Sequence, residues 1–237
     1  MSNYRRGQQG FTLVEMLVVC AIAVILIGLG APVLTSFKSN TVSQGIYSVS
    51  DTLEQARSYA MSMNTYVYVG VLQDSTASPT GSMIIGVIAS NDSTQIFSAN
   101  NPSLNQTSGT YKAINKLLKI PNIQTVSLPA NSTTSGNARQ VVPNSYKLGD
   151  STFAQSATPY SFAIGTYQFT NTTGPTSIQG VTSAGILQID PQGVVSEVGG
   201  NAAPFFEVGL KPVYGNQSNY AAIQVAGLSG AVRIYRP

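Results

Sequence analysis

The chain has 237 residues with 12 Lys plus Arg and 9 Asp plus Glu, so charge occupies only 9% of positions, against roughly a quarter in an average soluble domain. Histidine and tryptophan are absent and there is one cysteine, which excludes histidine general bases, Ser-His-Asp and Cys-His catalysis, histidine-ligated zinc and an intrachain disulfide. A hydrophobic content of 43% is too high for a disordered chain, and the length fits one domain with an appendage.

A short basic stretch, Met1 to Gly10, meets Phe11-Thr12-Leu13-Val14-Glu15 and then a long apolar run. Between Glu15 and Lys38 lie 22 residues without a charge. As a helix rising ~1.5 Å per residue they cover roughly 33 Å, enough to cross a bilayer's hydrocarbon core. Residues 11–37 are therefore expected to span a membrane. Arg5 and Arg6 precede the run, so the positive-inside bias places residues 1–10 in the cytoplasm and everything after about Phe37 outside it. A secretory signal peptide has its small residues after the apolar region, whereas Gly10 comes before it. Glu15 sits inside the leading edge of this helix, where a carboxylate costs a few kcal/mol unless paired. A partner is implied.

From Gly10 to Leu17 the chain resembles the type IV pilin superfamily, whose precursors carry a short basic leader ending in Gly, then Phe-Thr-Leu-Val-Glu and an apolar helix. The resemblance implies that prepilin peptidase cuts between Gly10 and Phe11 and methylates the new Phe11 amine, leaving 237 − 10 = 227 residues. It also implies a single-pass subunit of the bacterial inner membrane, leader cytoplasmic and head periplasmic, later extracted into a helical filament with other pilin subunits. Thr12, Leu13, Val14 and Glu15 would then serve assembly. In a staggered stack of helices the Glu15 carboxylate can meet a neighbour's N-terminal ammonium at low dielectric and set register. The alternative is a tolerated charge at the membrane edge.

Pro32, with Gly28 and Gly30 just before it, is expected to bend or locally open the helix. Beyond it Val42, Ile46, Val49, Leu53, Ala56, Ala60 and Met63 alternate in steps of four and three, a stripe along one helix face. Glu54 and Arg57 lie off the stripe at the spacing of a weak surface pair. One helix is predicted from about Thr12 to Met63, with 38–64 as its amphipathic continuation. The stripe could also serve a coiled coil, but the strand-rich remainder needs a helix to cover one face. From Thr65 short β-favouring runs alternate with Gly, Pro, Asn and Ser. Strands are predicted at 65–72, 82–89, 123–128, 160–170, 185–190, 205–210, 220–226 and 231–235. Residues 91–109 and 131–156 read as long polar loops, and Gly227-Leu228-Ser229-Gly230 as the turn of a closing hairpin.

The stretch from Gly185 to Gly193, with its Asp190-Pro191-Gln192-Gly193 turn, and the closing segment Ile223–Ile234 are similar to the minor pseudopilins. In particular they resemble the H-type subunit of type II secretion and the related minor pilins of type IV pili (the GspH/FimT-like group). The expected fold is α+β, pilin-like: a long N-terminal α-helix, membrane-spanning in its first half, packed on a C-terminal antiparallel β-sheet head at 65–237. Its expected function is structural, in a type II secretion pseudopilus or a type IV pilus.

Other candidate sites are weaker. Lys112, Lys116 and Lys119 would share one face if residues 110–120 were helical, a weak basic patch suited to phosphate contacts. The mature chain nevertheless has 12 − 2 = 10 basic and 9 acidic residues, so a solvated face is the better reading and nucleic acid is not expected as a partner. Asp190 alone falls short of the six to eight oxygens that calcium takes, which favours a simple turn. Asp74, Asp92, Asp150, Asp190, Glu197 and Glu207 show no paired spacing, so no enzyme, cofactor or metal is expected. Two competing functions remain at this point: a DNA- or surface-binding tip pilin, and a membrane-anchored periplasmic enzyme that would keep residues 1–10.

Overall fold

The computed structural model describes residues 12–74, 81–97, 103–104, 109–129, 139–150, 152–153, 160–171, 177–178, 181–199, 202–214 and 219–236, without the side chains of 28–41, 103–104, 177–178, 181–182 and 184. Helix α1 runs from Leu13 to Ser62 through two compact units, Met1–Lys38 and Ser39–Pro237. Pro32 is an internal residue of that helix, and the helical assignment continues through it.

In the second unit the apolar stripe of α1 is its buried face: Val42, Ile46, Val49, Leu53, Ala56 and Ala60 all lie in the core. This settles the choice between coiled coil and sheet cover in favour of the sheet. Met63 departs from the stripe and is 54% exposed, because the helix has already ended. Asn64 takes a left-handed φ of 50° and Thr65 N–H donates to Ala60 O at 3.0 Å, the long backbone bond of a Schellman end.

Among the described residues fifteen strands follow. They are β1 (Val67–Asp74), β2 (Ser82–Ser90), β3 (Ser103–Leu104), β4 (Tyr111–Ala113), β5 (Leu118–Pro121), β6 (Ile123–Thr125), β7 (Lys147–Leu148), β8 (Tyr160–Ile164), β9 (Tyr167–Asn171), β10 (Ser177–Ile178), β11 (Val181–Ile189), β12 (Val195–Glu197), β13 (Phe205–Pro212), β14 (Ala221–Ala226) and β15 (Val232–Tyr235). The first sheet has the order β10-β11-β1-β2-β4, with β12 on β11 and β5 on β2. A second is ordered β15-β14-β13-β6 with β7 on β13, and a third β3-β8-β9.

Two cores result. Alternate residues of β1 and β2, such as Val69, Val71, Met83, Ile85 and Val87, join α1 and the inner face of the second sheet. The opposite set, Tyr68, Leu72, Ile84 and Ile88, packs under the third sheet with Phe162, Phe169 and Tyr160. The first sheet is thus covered on both faces, and every residue of β2 is buried. A cross-strand glycine pair makes room for the third sheet. Gly70 lies opposite Gly86, and a Cβ on either would come within 2.5 or 2.6 Å of the Phe169 ring. Phe169 stacks on Phe162 at 4.9 Å between centroids. Ser183, beside the bulge at Val71/Leu72, ties the layers by accepting from Thr170 N–H at 3.0 Å and donating to Thr170 O.

Several sequence expectations change. Residues 110–120 hold β4 and β5, not a helix. Residues 160–170 form a hairpin, because Gly165 at φ 60° turns the chain. The strand expected at 123–128 stops at Thr125. The two supposed surface loops carry β3 and β7 and bury Ile96, Phe97, Val142 and Phe153. Of the turn expected at Asp74–Gly81 between the first two strands, residues 75–80 lie outside the described residues.

Candidate functional site

The N-terminal motif builds a helix start of its own. Thr12-Leu13-Val14-Glu15 is a capping box: Thr12 N–H donates to Glu15 Oε2 at 2.8 Å, Thr12 Oγ1 donates to the same oxygen at 2.9 Å, and Glu15 N–H donates to Thr12 Oγ1 at 3.3 Å. This function of Glu15 was readable from the T-x-x-E spacing but is absent from the expectations above, which gave Glu15 only an intermolecular partner. After the cap, eleven large apolar side chains between Leu13 and Ile27 are 49–81% exposed. Cys20 is exposed on the same segment. Gly10 and Phe11 lie outside the described residues, as do the Pro32 and Lys38 side chains. Among the described residues no helix is long and apolar enough to cross a membrane.

The expected basic patch does not form. Lys112 stands opposite Ala89 and Lys119 opposite Ile84 on β2. The two β2 positions differ by an odd number of residues, so the lysines point to opposite faces of the sheet. Lys119 reaches Asp74 at 3.4 Å, Lys112 lies over the Tyr59 ring at 5.8 Å, and Lys116 is exposed in the connection between β4 and β5.

Nor does Arg57 pair with Glu54. A Cβ placed on Gly193 would lie 3.0 Å from Arg57 Nε, and one on Gly230 2.5 Å from its Cδ. The Arg57 stem therefore packs between the Asp-Pro-Gln-Gly turn and the closing hairpin. Both glycines have positive φ, 81° and 62°, so those turns and their open faces come from the same residues. No spacing rule links Arg57 to glycines so distant in sequence.

Several carboxylates of the head are tied into hydrogen bonds or ion pairs. Asp190 Oδ1 accepts from Gln192 and Val194 N–H, both at 2.9 Å, which makes it a turn cap. Asp92 accepts from Thr94 and Ser90, which holds its carboxyl down to about 2. Burial alone would raise Asp150, but hydrogen bonds from Ser127 and Thr152 hold it below its usual value. Glu197 is pushed up by burial. Glu207 is 1% exposed and meets Arg139 at 3.2 Å and Gln224 Nε2 at 2.8 Å. Among the described residues no three of His, Cys, Asp and Glu converge as metal ligands. Asp190→Ala is expected to lower stability by about 1–2 kcal/mol through its two lost backbone bonds. The wild-type melting temperature should be the same in calcium and in chelator, as thermal unfolding of residues 39–237 would show; a calcium-dependent rise would contradict the turn-cap reading.

The unit Met1–Lys38 holds a capped apolar helix start and the unit Ser39–Pro237 large antiparallel sheets, an α+β chain compatible with a pilin-like fold. Residues 5–31 match the family model described as the prokaryotic N-terminal methylation motif, so the chain carries the type IV pilin and pseudopilin signature. That motif implies a membrane-anchored precursor, processing by prepilin peptidase and assembly with other pilin subunits. No curated protein and no solved structure matches the chain.

Proposed function

We propose that this chain is a structural minor subunit of the GspH/FimT-like pseudopilin group, working in a type II secretion pseudopilus or a type IV pilus, and not an enzyme. The observation that carries the reading is the run of exposed apolar side chains within the matched motif. Each Leu, Ile or Val left in water forgoes ~1.5–3 kcal/mol of burial. Such a segment needs lipid before assembly and other helices after it.

In this reading residues 1–10 are a cytoplasmic leader and 11–37 cross the inner membrane once, supported by the 22 uncharged residues between Glu15 and Lys38. Cleavage falls between Gly10 and Phe11, Phe11 is N-methylated, and the head lies in the periplasm. Glu15, whose free oxygen capacity exceeds its bonds to Thr12, pairs with the Phe11 amine of a neighbour. The separation of Lys112 from Lys119 removes the main support for a DNA-binding tip pilin.

Mass spectrometry of the membrane-extracted protein tests this directly. The expected species begins at methylated Phe11; a chain retaining Met1–Gly10 in cells with active prepilin peptidase would overturn the proposal.

A further inference from the structure

Arg57 is seated in the head but not satisfied there. Its Nε is buried with no hydrogen-bond partner, and its guanidinium joins no ion pair among the described residues. The two Nη nitrogens also lack partners but are not buried, so the outer fork of the guanidinium meets the surface. The seat is nevertheless specific. A Cβ on Gly230 would lie 2.6 Å from both Arg57 Nε and Gly193 O, and Val195 N–H donates to Gly227 O at 2.7 Å, which ties the two turns together around the side chain. A methionine could fill that space with no unpaired donor, and a buried donor left unpaired costs stability. A polar group kept in such a place marks a functional position.

The surroundings say what would satisfy it. A Cβ on Gly193 would lie 2.9 Å from Met61 Sδ and 3.0 Å from Arg57 Nε, so Met61 adjoins the guanidinium and is itself 40% exposed. Leu228, two residues before Gly230 at the tip of the closing hairpin, is 77% exposed. Glu54, three positions before Arg57 on α1, and Asp190, in the turn of Gly193, add negative charge nearby without pairing to it. A dianion such as phosphate is repelled by both, whereas a single carboxylate fits the fork. We propose that this face binds an acidic segment of another protein, its carboxylate on Arg57 and an adjoining apolar side chain on Met61 and Leu228. The site lies wholly in the head and does not depend on the pilin reading.

The full-length chain in detergent micelles, labelled with 15N-arginine, tests it. The Arg57 Nε–H signal, assigned by its loss in Arg57→Met, is expected to shift saturably on titration with the peptide acetyl-Leu-Glu-Leu-amide. The uncharged acetyl-Leu-Gln-Leu-amide should bind about tenfold more weakly, and inorganic phosphate should give no saturable shift. Equal shifts with the two peptides, no shift at about 10 mM acidic peptide, a stronger response to phosphate, or a shift that follows protein concentration alone and so reports a second copy would each overturn the proposal.

Arg57→Met separates binding from packing. The acidic peptide at about tenfold its dissociation constant should raise the wild-type melting temperature by about 3 °C and leave that of Arg57→Met unchanged. Without peptide, the variant should melt no lower than wild type, because it removes an unpaired buried donor and keeps the bulk of the stem. A variant melting more than about 4 °C below wild type would make Arg57 a packing residue and overturn the proposal.

Discussion

Replacing Glu15 with valine is expected to leave the chain in the membrane while lowering its incorporation into filaments by about tenfold or more. The physical reason is that the two processes weigh the carboxylate with opposite sign. An ionised side chain at a helix centre in lipid costs ~2.5–3.5 kcal/mol, so valine retains or improves anchoring. In a stack of helices, by contrast, the carboxylate pairs with an amine where the dielectric is low and the attraction strong.

The capping box adds a complication that a second variant resolves. Glu15 also stabilises the helix start through Thr12, and glutamine can keep that reciprocal geometry without the charge. Glu15→Gln should therefore fail in assembly as valine does. Immunoblots of membrane and sheared-filament fractions read both quantities, and a glutamine variant that assembles normally would reduce Glu15 to a cap.

The second large effect is expected in the head. Phe169→Ala should lower the unfolding free energy of residues 39–237 by ~3–5 kcal/mol, the range for deleting a buried aromatic ring. Phe169 is fully buried, stacks on Phe162 and fills the hollow that Gly70 and Gly86 leave in the first sheet. A domain with a total of ~5–15 kcal/mol would be left marginal. Gly86→Val should also destabilise, because its side chain meets the same ring, and the two changes together should cost less than their sum. Urea titrations followed by circular dichroism give these values. A loss below about 1 kcal/mol for Phe169→Ala would mean that the third sheet is not packed on the first.

The buried stripe of α1 was legible because helical period and burial coincide at six positions from Val42 to Ala60. The closing hairpin was legible because Gly227 and Gly230 bracket it. The two-sided burial of the first sheet was missed, although Met83-Ile84-Ile85-Gly86-Val87-Ile88-Ala89 lacks the alternation of a half-exposed strand and so announces it. The lysine patch failed because a spacing of three and four suggests a helix only when nothing else competes. Here β2 recruits both segments as edge strands.

The covalent order of residues alone determined the N-terminal segment of this protein: the methylation motif, the capped apolar helix and its acidic group are local, and each depends on neighbours a few positions away. Only the tertiary structure decided what the head presents. The third layer, the burial of Glu207 beside Arg139 and the seat of Arg57 between two glycine turns all join residues far apart in the chain. Such pairings follow from which faces remain uncovered once the sheets have closed, and that is a property of the packed molecule and not of any short segment of it.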